Sequence, residues 1–309
     1  MTKRWYFLLL FVLVSGGATA KKLYKFQDKN GVWHYGDKPP DTEQEVEVRQ
    51  LKPTRTQRVR LEKHGDKRHP FFYAVNQYPG PIEIEVDWED HENVVATPPL
   101  PQHFIVGPGE SADLFNVRTT VATRASRFTL QYRYMIGKPL ANYASSHPYL
   151  PPIAPGNRFQ ITQAFGGKFS HQDEQNRYAV DIVMPVGTPI YAARGGVVLE
   201  VENDYFKSGT QQAYANQANS IRILHDDGSM AIYAHLQLEK AQVHPGLQVS
   251  AGELIGYSGN TGFTTGPHLH FAIQINQDMK LVSVPFQFID VNGQISEPQQ
   301  GTWLEGFMP

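Results

Sequence analysis

The 309-residue sequence contains no cysteine. This absence excludes disulfide bonds, thiolate nucleophiles and cysteine-based metal sites, so any metal site must be built from histidine, aspartate or glutamate. The chain also lacks an excess of either charge, because 28 lysines and arginines against 30 aspartates and glutamates leave a formal net charge of −2. No strongly basic face is implied, and nucleic acid is therefore not an expected partner.

Long apolar runs are absent beyond the N-terminus. The first 20 residues contain a positive start at Lys3 and Arg4, an apolar run from Trp5 to Val14, and small residues at positions 18–20. This pattern predicts a secretory signal peptide over residues 1–20. The alternative, a membrane anchor, is disfavoured because the run is too short to span a bilayer comfortably. We expect a periplasmic or secreted protein without stable membrane insertion, and no cysteine offers a lipid attachment point.

Residues 21–60 predict a small β-domain followed by a linker. The stretches LYKFQ and VWHYG flank DKNG, a turn signal between two short, aromatic-rich strands. This arrangement resembles a small β-domain of unknown function that follows signal peptides in bacterial envelope proteins. Tyr24, Trp33 and Tyr35 form either the core of this domain or a ligand-binding surface, and the small size of the unit favours a core. The basic stretch that follows predicts a solvated linker.

Residues 66–147 predict an antiparallel β-sandwich. In PIEIEVDW, apolar Ile82, Ile84, Val86 and Trp88 alternate with acidic residues, and RFTLQYRYMI repeats the alternation. A period of two places each set on one face of a half-buried strand, and turn clusters such as VGPGES separate the runs. No catalytic constellation is visible in this module, which is therefore expected to be a spacer or a docking module.

The proline-rich stretch SSHPYLPPIAPGN predicts a stiff linker. It leads to a third module over residues 155–290, which is followed by a C-terminal tail over residues 291–309. In the third module glycine is dense and short β-runs recur, including GGVVLEVE, AIYAHL and HLHFAIQI. No long helix-period pattern competes with them, so this module too is expected to be mostly antiparallel β. The chain as a whole is predicted to be all-β.

Five polar residues stand out in this third module. His268 and His270 lie one residue apart in HLHFAIQI, so a strand would project both from one face. Asp181 interrupts the apolar run YAVDIVM, where an unpaired carboxylate would be costly and would favour a nearby cation. His171 lies upstream in a polar loop, and His235 ends the run AIYAHL. A zinc hydrolase needs three protein ligands and one open position, so these residues are candidates for a shared metal site.

Three segments of this module carry a resemblance to a known family. They read SHQDEQNRYAVDIVMPVGTPIYAARGGVV, IRILHDDGSMAIYAHL and VHPGLQVSAGELIGYSGNTGFTTGPHLHF, in this order. Together they resemble the zinc metallopeptidases of the lysostaphin and LytM type, the M23 family of cell-wall endopeptidases, over residues 155–285. One feature departs from the family pattern. Many members have three residues between the first histidine and the aspartate, whereas nine separate His171 from Asp181.

The resemblance implies that His171, Asp181 and His270 bind one Zn²⁺, and that His235 and His268 act on the substrate and the attacking water. Two neutral imidazoles and one carboxylate leave the zinc unit positively charged, which lowers the pKa of a coordinated water toward about 7. Histidine, with an ordinary pKa of about 6.5, suits proton transfer at neutral pH. One of the two remaining histidines should take the water's proton, and the other should stabilise the oxyanion or protonate the leaving amine. The sequence leaves that division open.

We therefore expect a zinc-dependent endopeptidase that hydrolyses peptide cross-links of bacterial peptidoglycan. The alternative is a non-catalytic M23-like domain that binds the cell wall or activates other wall hydrolases, and the presence of all five polar residues disfavours it. The polar connector 203–219 is either the rim of a substrate groove or an insertion. His225 and His244 lie beside turn signals and are predicted to be surface residues.

Overall fold

The computed structural model of the chain describes residues 22–29, 31, 33–50, 57–67, 69–141, 143 and 147–308. The predicted signal peptide, residues 1–20, lies outside the described residues. The chain divides into two compact units, one ending at Thr56 and the other beginning at Gln57. No helix in the described part of the chain is long and apolar enough to cross a membrane.

The first unit contains a three-stranded antiparallel sheet in the order β2-β1-β3. Its strands are β1 (Lys22–Gln27), β2 (Trp33–Gly36) and β3 (Glu47–Gln50). The two strands predicted on either side of the DKNG turn are thus confirmed, and Leu23 is fully buried. Tyr24 and Tyr35 are half-buried, whereas the side chain of Trp33 lies outside the described ones.

The second unit begins with a β-sandwich, as its alternating sequence predicts. One sheet has the order β4-β5-β10-β7, with β9 paired to β5, and the other has the order β11-β6-β8. The strands are β4 (Val59–Gly65), β5 (Pro70–Asn76), β6 (Ile82–Glu92), β7 (Val94–Thr97), β8 (Gln102–Val106), β9 (Gly109–Glu110), β10 (Phe115–Thr119) and β11 (Arg127–Ile136). All pairs in both sheets are antiparallel.

The sandwich core follows the period-two pattern of its strands. Ile82, Ile84 and Val86 are fully buried, and Trp88 packs against the same cluster. Burial of such side chains contributes about 1.5–3 kcal/mol each. The acidic face of the same strand is not fully exposed to solvent. Glu83 is only 5% exposed and accepts a hydrogen bond from Asn276 Nδ2 at 2.8 Å. The second half of the unit therefore covers part of the face that the sequence assigns to solvent.

This second half is built on one large antiparallel sheet of order β19-β15-β17-β18-β22-β13-β12-β26, with β23 paired to β22. No α-helix occurs among the described residues, and the all-β prediction is confirmed. The elements are β12 (Arg158–Gln163), β13 (Val180–Val183), β14 (Pro189–Tyr191), β15 (Gly196–Glu202), β16 (Ser208–Gly209), a 3₁₀ turn (Gln212–Tyr214), β17 (Ser220–Leu224), β18 (Met230–Ala234), β19 (Gln248–Val249), β20 (Leu254–Tyr257), β21 (Gly262–Phe263), β22 (His268–Gln277), β23 (Lys280–Ser283), β24 (Phe288–Ile289), β25 (Ile295–Ser296) and β26 (Trp303–Glu305).

Segments that flank the predicted third module contribute to its core and its sheet. Tyr149 and Ile153, from the proline-rich stretch, are buried among the core residues of the sheet. At the other end, β26 extends the sheet by pairing with β12, with Leu304 opposite Phe159. The structural module thus includes residues on both sides of the predicted range 155–290.

The two halves of the second unit share apolar side chains. Leu199 on β15 and Met230 on β18 belong to the large sheet, yet both are fully buried in the hydrophobic cluster of the sandwich. Asn276 adds a polar link, since its Nδ2 also donates to the Gly137 carbonyl at 3.1 Å. Because each half completes the other's core, we expect them to unfold together.

Replacing Leu199 by alanine tests this coupling. Leu199→Ala should lower the free energy of unfolding by about 2–5 kcal/mol, because it removes a fully buried side chain and leaves a cavity. Urea unfolding followed by fluorescence should still show one transition for the second unit. As a control, Val291→Ala, at a 52% exposed turn position, should change the unfolding free energy by less than about 0.5 kcal/mol. Two separate transitions would contradict the shared core.

Candidate active site

Three neighbouring strands bring the candidate residues together. On β22, His270 lies opposite Asp181 of β13 on one side and opposite Ala234 of β18 on the other. His235 directly follows Ala234, so it emerges at the same region of the sheet. Antiparallel pairing thus brings residues that are far apart in sequence next to one another. The register of the pairing determines which residues become neighbours.

The strand predicted for HLHFAIQI is confirmed as β22. Its alternation directs Leu269 and Phe271 into the core, where both are fully buried. His268 and His270 lie on the opposite face and are half-buried. The sequence prediction that both imidazoles share one face of a strand is therefore confirmed.

His171 reaches the same place from the loop between β12 and β13. Its side chain is fully buried, although the sequence around it is polar. Nδ1 donates to the carbonyl oxygen of Ala164 at 3.1 Å, which orients the ring. The other nitrogen, Nε2, lies 3.2 Å from Oδ1 of Asp181. A hydrogen bond to a backbone carbonyl thus leaves Nε2 of this histidine for the site.

Oδ1 of Asp181 is the point on which three imidazoles converge. It lies 2.9 Å from His270 Nδ1, 3.2 Å from His171 Nε2 and 3.6 Å from His268 Nε2. Burial by itself would raise the pKa of Asp181, but the neighbouring imidazoles of His171 and His270 outweigh burial and hold the pKa well below its usual range. The carboxylate is therefore ionised at neutral pH.

Donor atoms of His171, Asp181 and His270 all lie within 4.8 Å of one another. The hydrogen bond from His171 to Ala164 places the proton of a neutral ring on Nδ1, so Nε2 presents a lone pair to the lone pairs of Asp181. Two lone pairs at 3.2 Å repel unless a cation lies between them. Ligands about 2.0–2.2 Å from one Zn²⁺ are themselves separated by about 3.4 Å, which is close to the observed spacing. The three residues therefore fit a tetrahedral zinc ion.

His235 adopts a backbone conformation that side chains seldom take. Its φ is +64°, in the left-handed region, and such strain is concentrated at functional sites. Nδ1 donates to the Thr261 carbonyl at 2.6 Å. The ring centroid lies 4.6 Å from that of His268 and 5.8 Å from that of His270. The strained turn thus directs the imidazole back over the site.

His268 is oriented in the same way. Its Nδ1 donates to the carbonyl oxygen of Gly266 at 2.8 Å, so Nε2 faces Asp181. Burial lowers the pKa of His268 below its ordinary value, and burial with the neighbouring imidazoles His268 and His270 lowers that of His235. Both rings are therefore neutral near pH 7, the form that can accept a proton.

Two regions of the chain match known protein families. Residues 175–281 match the profile of peptidase family M23. The chain contains a peptidase family M23 domain. Residues 9–60 match a separate domain of unknown function, DUF4124.

Relatives of the M23 domain are endopeptidases, according to their names. This chain is 42% identical over 93 residues to the peptidoglycan DD-endopeptidase ShyA of Vibrio cholerae. The aligned residues make up 30% of this chain and 19% of ShyA. The chain is 37% identical over 101 residues to the glycyl-glycine endopeptidase ALE-1 of Staphylococcus capitis, 33% of this chain and 25% of ALE-1. The matched region thus spans about a fifth to a quarter of these relatives.

A solved structure of the lysostaphin catalytic domain from Staphylococcus simulans is also similar. It shares 26% sequence identity and covers 46% of this chain and 88% of its own, with a TM-score of 0.29. One candidate ligand is not part of the family match. The M23 match begins at residue 175, so His171 lies four residues outside it, and its place in the site rests on the geometry described above.

The connector 203–219 pairs with the loop that leads into β22. Its short strand β16 pairs in parallel with β21, with Ser208 opposite Gly262. Asn219, fully buried, donates from Nδ2 to the carbonyls of Tyr205 and Leu236, and its backbone N–H donates to Thr261 Oγ1. The sequence analysis missed Asn219 and Thr261, whose backbone and side-chain contacts hold the turn of the candidate catalytic histidine. No local sequence signal distinguishes them from ordinary loop residues.

Gly262 explains part of the glycine-rich frame in this domain. Its φ is +82°, and a Cβ there would lie 2.7 Å from the Cβ of Ala218. Any larger residue would push the two loops apart. The glycine therefore permits the close approach that brings the Thr261 carbonyl to the candidate catalytic histidine.

The prediction that His225 is a surface residue is wrong, whereas His244 is exposed as expected. His225 is only 3% exposed. Its Nδ1 donates to the Gly195 carbonyl at 2.8 Å, while Nε2 has no hydrogen-bond partner among the described residues. Burial is the main cause that lowers the pKa of His225 to about 4. Arg194 lowers it further, and the nearby carboxylates of residues 226 and 227 partly offset the shift. The turn signal was correct, but the packing of the strand beneath it could not be seen in the sequence.

His225 should make the fold sensitive to acid. Because its pKa is about 4 in the fold and about 6.5 in the unfolded chain, the folded state disfavours the protonated ring. Its contribution is fully present above pH 6.5 and is lost as the pH falls to about 4, by at most about 3 kcal/mol. Urea midpoints at pH 7 and pH 4.5 should differ less in His225→Gln than in the wild type. An equal pH dependence in both proteins would show that His225 is not the cause.

Proposed function

We propose that this protein is a zinc-dependent endopeptidase that hydrolyses peptide cross-links of bacterial peptidoglycan. The observation that carries the proposal is the convergence of three imidazole nitrogens on Oδ1 of one buried carboxylate, Asp181. Support also comes from the relatives of the M23 domain, whose names describe endopeptidases of peptidoglycan and of glycyl-glycine bonds.

In this proposal His171, Asp181 and His270 hold the metal. With no cysteine in the chain, the donors are two imidazoles and one carboxylate, a set that suits zinc. When bound, Zn²⁺ would polarise the scissile carbonyl and acidify water at an open position. The carbonyl oxygen of Ala164, which accepts from Nδ1 of the first ligand, would keep Nε2 aimed at the ion.

His235 and His268 do the proton transfer. Both present Nε2 toward the site, because Nδ1 of each donates to a backbone carbonyl. One neutral ring takes the proton from water as its oxygen attacks the peptide carbonyl. The other hydrogen-bonds the developing oxyanion or delivers a proton to the leaving amine nitrogen. Such positioned groups contribute about 10²- to 10⁴-fold each to the rate.

The proposed location is the periplasm or the extracellular space. The charged start, short apolar run and small residues at positions 18–20 support cleavage of residues 1–20. N-terminal sequencing of protein recovered from the periplasm and the medium tests this part. Recovery of the uncleaved chain in the cytoplasm alone would contradict it.

The alternative, a non-catalytic domain that binds the wall or activates other hydrolases, has less support. Such a role needs neither a metal-binding trio nor two further imidazoles directed at it. A purely structural zinc site is also disfavoured. Structural sites fill all four positions with protein ligands, whereas three ligands are proposed here and two further imidazoles lie beside them.

The test combines metal analysis with wall digestion. Purified protein should carry about one Zn²⁺ per chain and should release new amino termini from intact peptidoglycan. Walls with direct cross-links and walls with glycine bridges should be compared, because the two named relatives differ in this respect. Chelation should abolish cleavage and added zinc should restore it. Zinc binding without cleavage of either wall would favour the non-catalytic alternative.

A further inference from the structure

Gln163, the last residue of β12, contacts both the loop and the strand that supply the proposed metal ligands. Its Nε2 donates to Oδ2 of Asp181 at 2.9 Å and to Oγ of Ser170 at 2.7 Å. Its Oε1 accepts the backbone N–H of Phe169 at 3.2 Å. One amide therefore joins the strand of Asp181 to the segment directly before His171.

The two oxygens of Asp181 have different surroundings. Oδ1 faces the imidazoles of His171 and His270, whereas Oδ2 accepts the amide hydrogen of Gln163. A carboxylate that gives one oxygen to a hydrogen-bond donor offers the other to a cation. Because the donor is an uncharged amide, it leaves the negative charge of the carboxylate intact for the metal.

We propose that Gln163 is a positioning residue that restricts Asp181 to ligation through Oδ1 and holds His171 at the correct distance from it. This inference rests on the proposed metal site. Partners of metal ligands typically alter metal affinity or activity by about 10- to 100-fold when they are removed. The amide acts through two ligands at once, so its loss affects both their spacing and the number of carboxylate oxygens available.

Gly167 makes room for this amide. A Cβ at residue 167 would lie 2.1 Å from Cγ and 2.5 Å from Cδ of Gln163, closer than any real contact. These are inner atoms of the side chain, which cannot move without carrying the amide with them. A methyl group at residue 167 would therefore displace the hydrogen bond to Asp181 while leaving the glutamine present.

The first experiment measures metal binding in Gln163→Met, which keeps the length of the side chain but removes the amide. We expect zinc affinity, measured by competition with a chromogenic chelator, to fall about 10- to 100-fold. In the Co²⁺ form, release of Oδ2 should raise the coordination number and weaken the visible absorption. The control is Gln160→Met on the same strand, where the amide donates to the Gly301 carbonyl away from the site, and it should bind zinc like the wild type.

Gly167→Ala provides an independent test, and thermal unfolding of the metal-free proteins reports on the fold. This variant should weaken zinc binding in the same direction, and the double variant with Gln163→Met should lose little more than Gln163→Met alone. Wild-type zinc affinity and an unchanged Co²⁺ spectrum in both single variants would overturn the inference. Failure of the wild type itself to bind zinc would instead overturn the proposed function, so the two failures are distinguishable.

Discussion

His270→Ala should lose zinc and activity together, whereas His268→Ala should keep about one zinc per chain and still lose about 10²- to 10⁴-fold in turnover. The two histidines share one face of β22, but their nitrogens are used differently. Nδ1 of His270 lies 2.9 Å from Oδ1 of Asp181, a spacing that allows both atoms to bind one metal ion. His268 gives Nδ1 to the Gly266 carbonyl and holds Nε2 at 3.6 Å from the same oxygen.

The measurement is zinc content beside turnover of wall material for both variants. His235→Ala should behave like His268→Ala, because its Nδ1 likewise donates to a carbonyl, that of Thr261. If His268→Ala loses the metal and His270→Ala retains it, the roles are reversed. If both keep metal and full activity, the pair is structural and the endopeptidase proposal fails.

His171→Ala should also abolish zinc binding, by removal of one of three protein ligands. This prediction has a special weight because His171 lies outside the region matched to the M23 family and nine residues separate it from Asp181. Four residues before Asp181, at the spacing where many family members have histidine, this chain has Arg177. Its side chain is exposed, and a guanidinium cation does not bind a metal cation.

Arg177→Ala is therefore the matched control and should retain about one zinc per chain with near-normal turnover. Metal-free thermal unfolding of His171→Ala separates loss of a ligand from loss of the fold, since a fully buried ring is being removed. Zinc retained by His171→Ala but lost by Arg177→Ala would show that the loop contributes no ligand and that the site has another composition.

The strands of this protein could largely be predicted from its sequence. Period-two alternation identified β6, β11 and β22, because the side chains of a strand alternate between core and solvent whatever the strand's partners are. The candidate residues for proton transfer and metal binding could also be identified, since polar residues such as Asp181 interrupt otherwise apolar runs. Such local signals need no knowledge of register.

Other features depend on packing between distant segments. Leu199 and Met230 lie on strands of the large sheet but are buried in the sandwich core. His225 is buried although it lies beside a turn, a position that predicts exposure. Nothing in the residues around them reveals which surface will cover them. Partial burial of the acidic face at Glu83 has the same origin.

By itself the sequence determined the all-β class, the chemical types available for a metal site and the five residues that could form it, because composition and periodicity are properties of the chain alone. Only the tertiary structure decided how they act together. Pairing of β13 with β22 places Asp181 opposite His270, and the intervening loop closes to bring His171 within 3.2 Å of the same carboxylate oxygen. Which oxygen faces the imidazoles is decided by Gln163, through a hydrogen bond between residues 18 positions apart. Directional contacts of this kind depend on where the backbone places each atom, and that position is set by the whole fold.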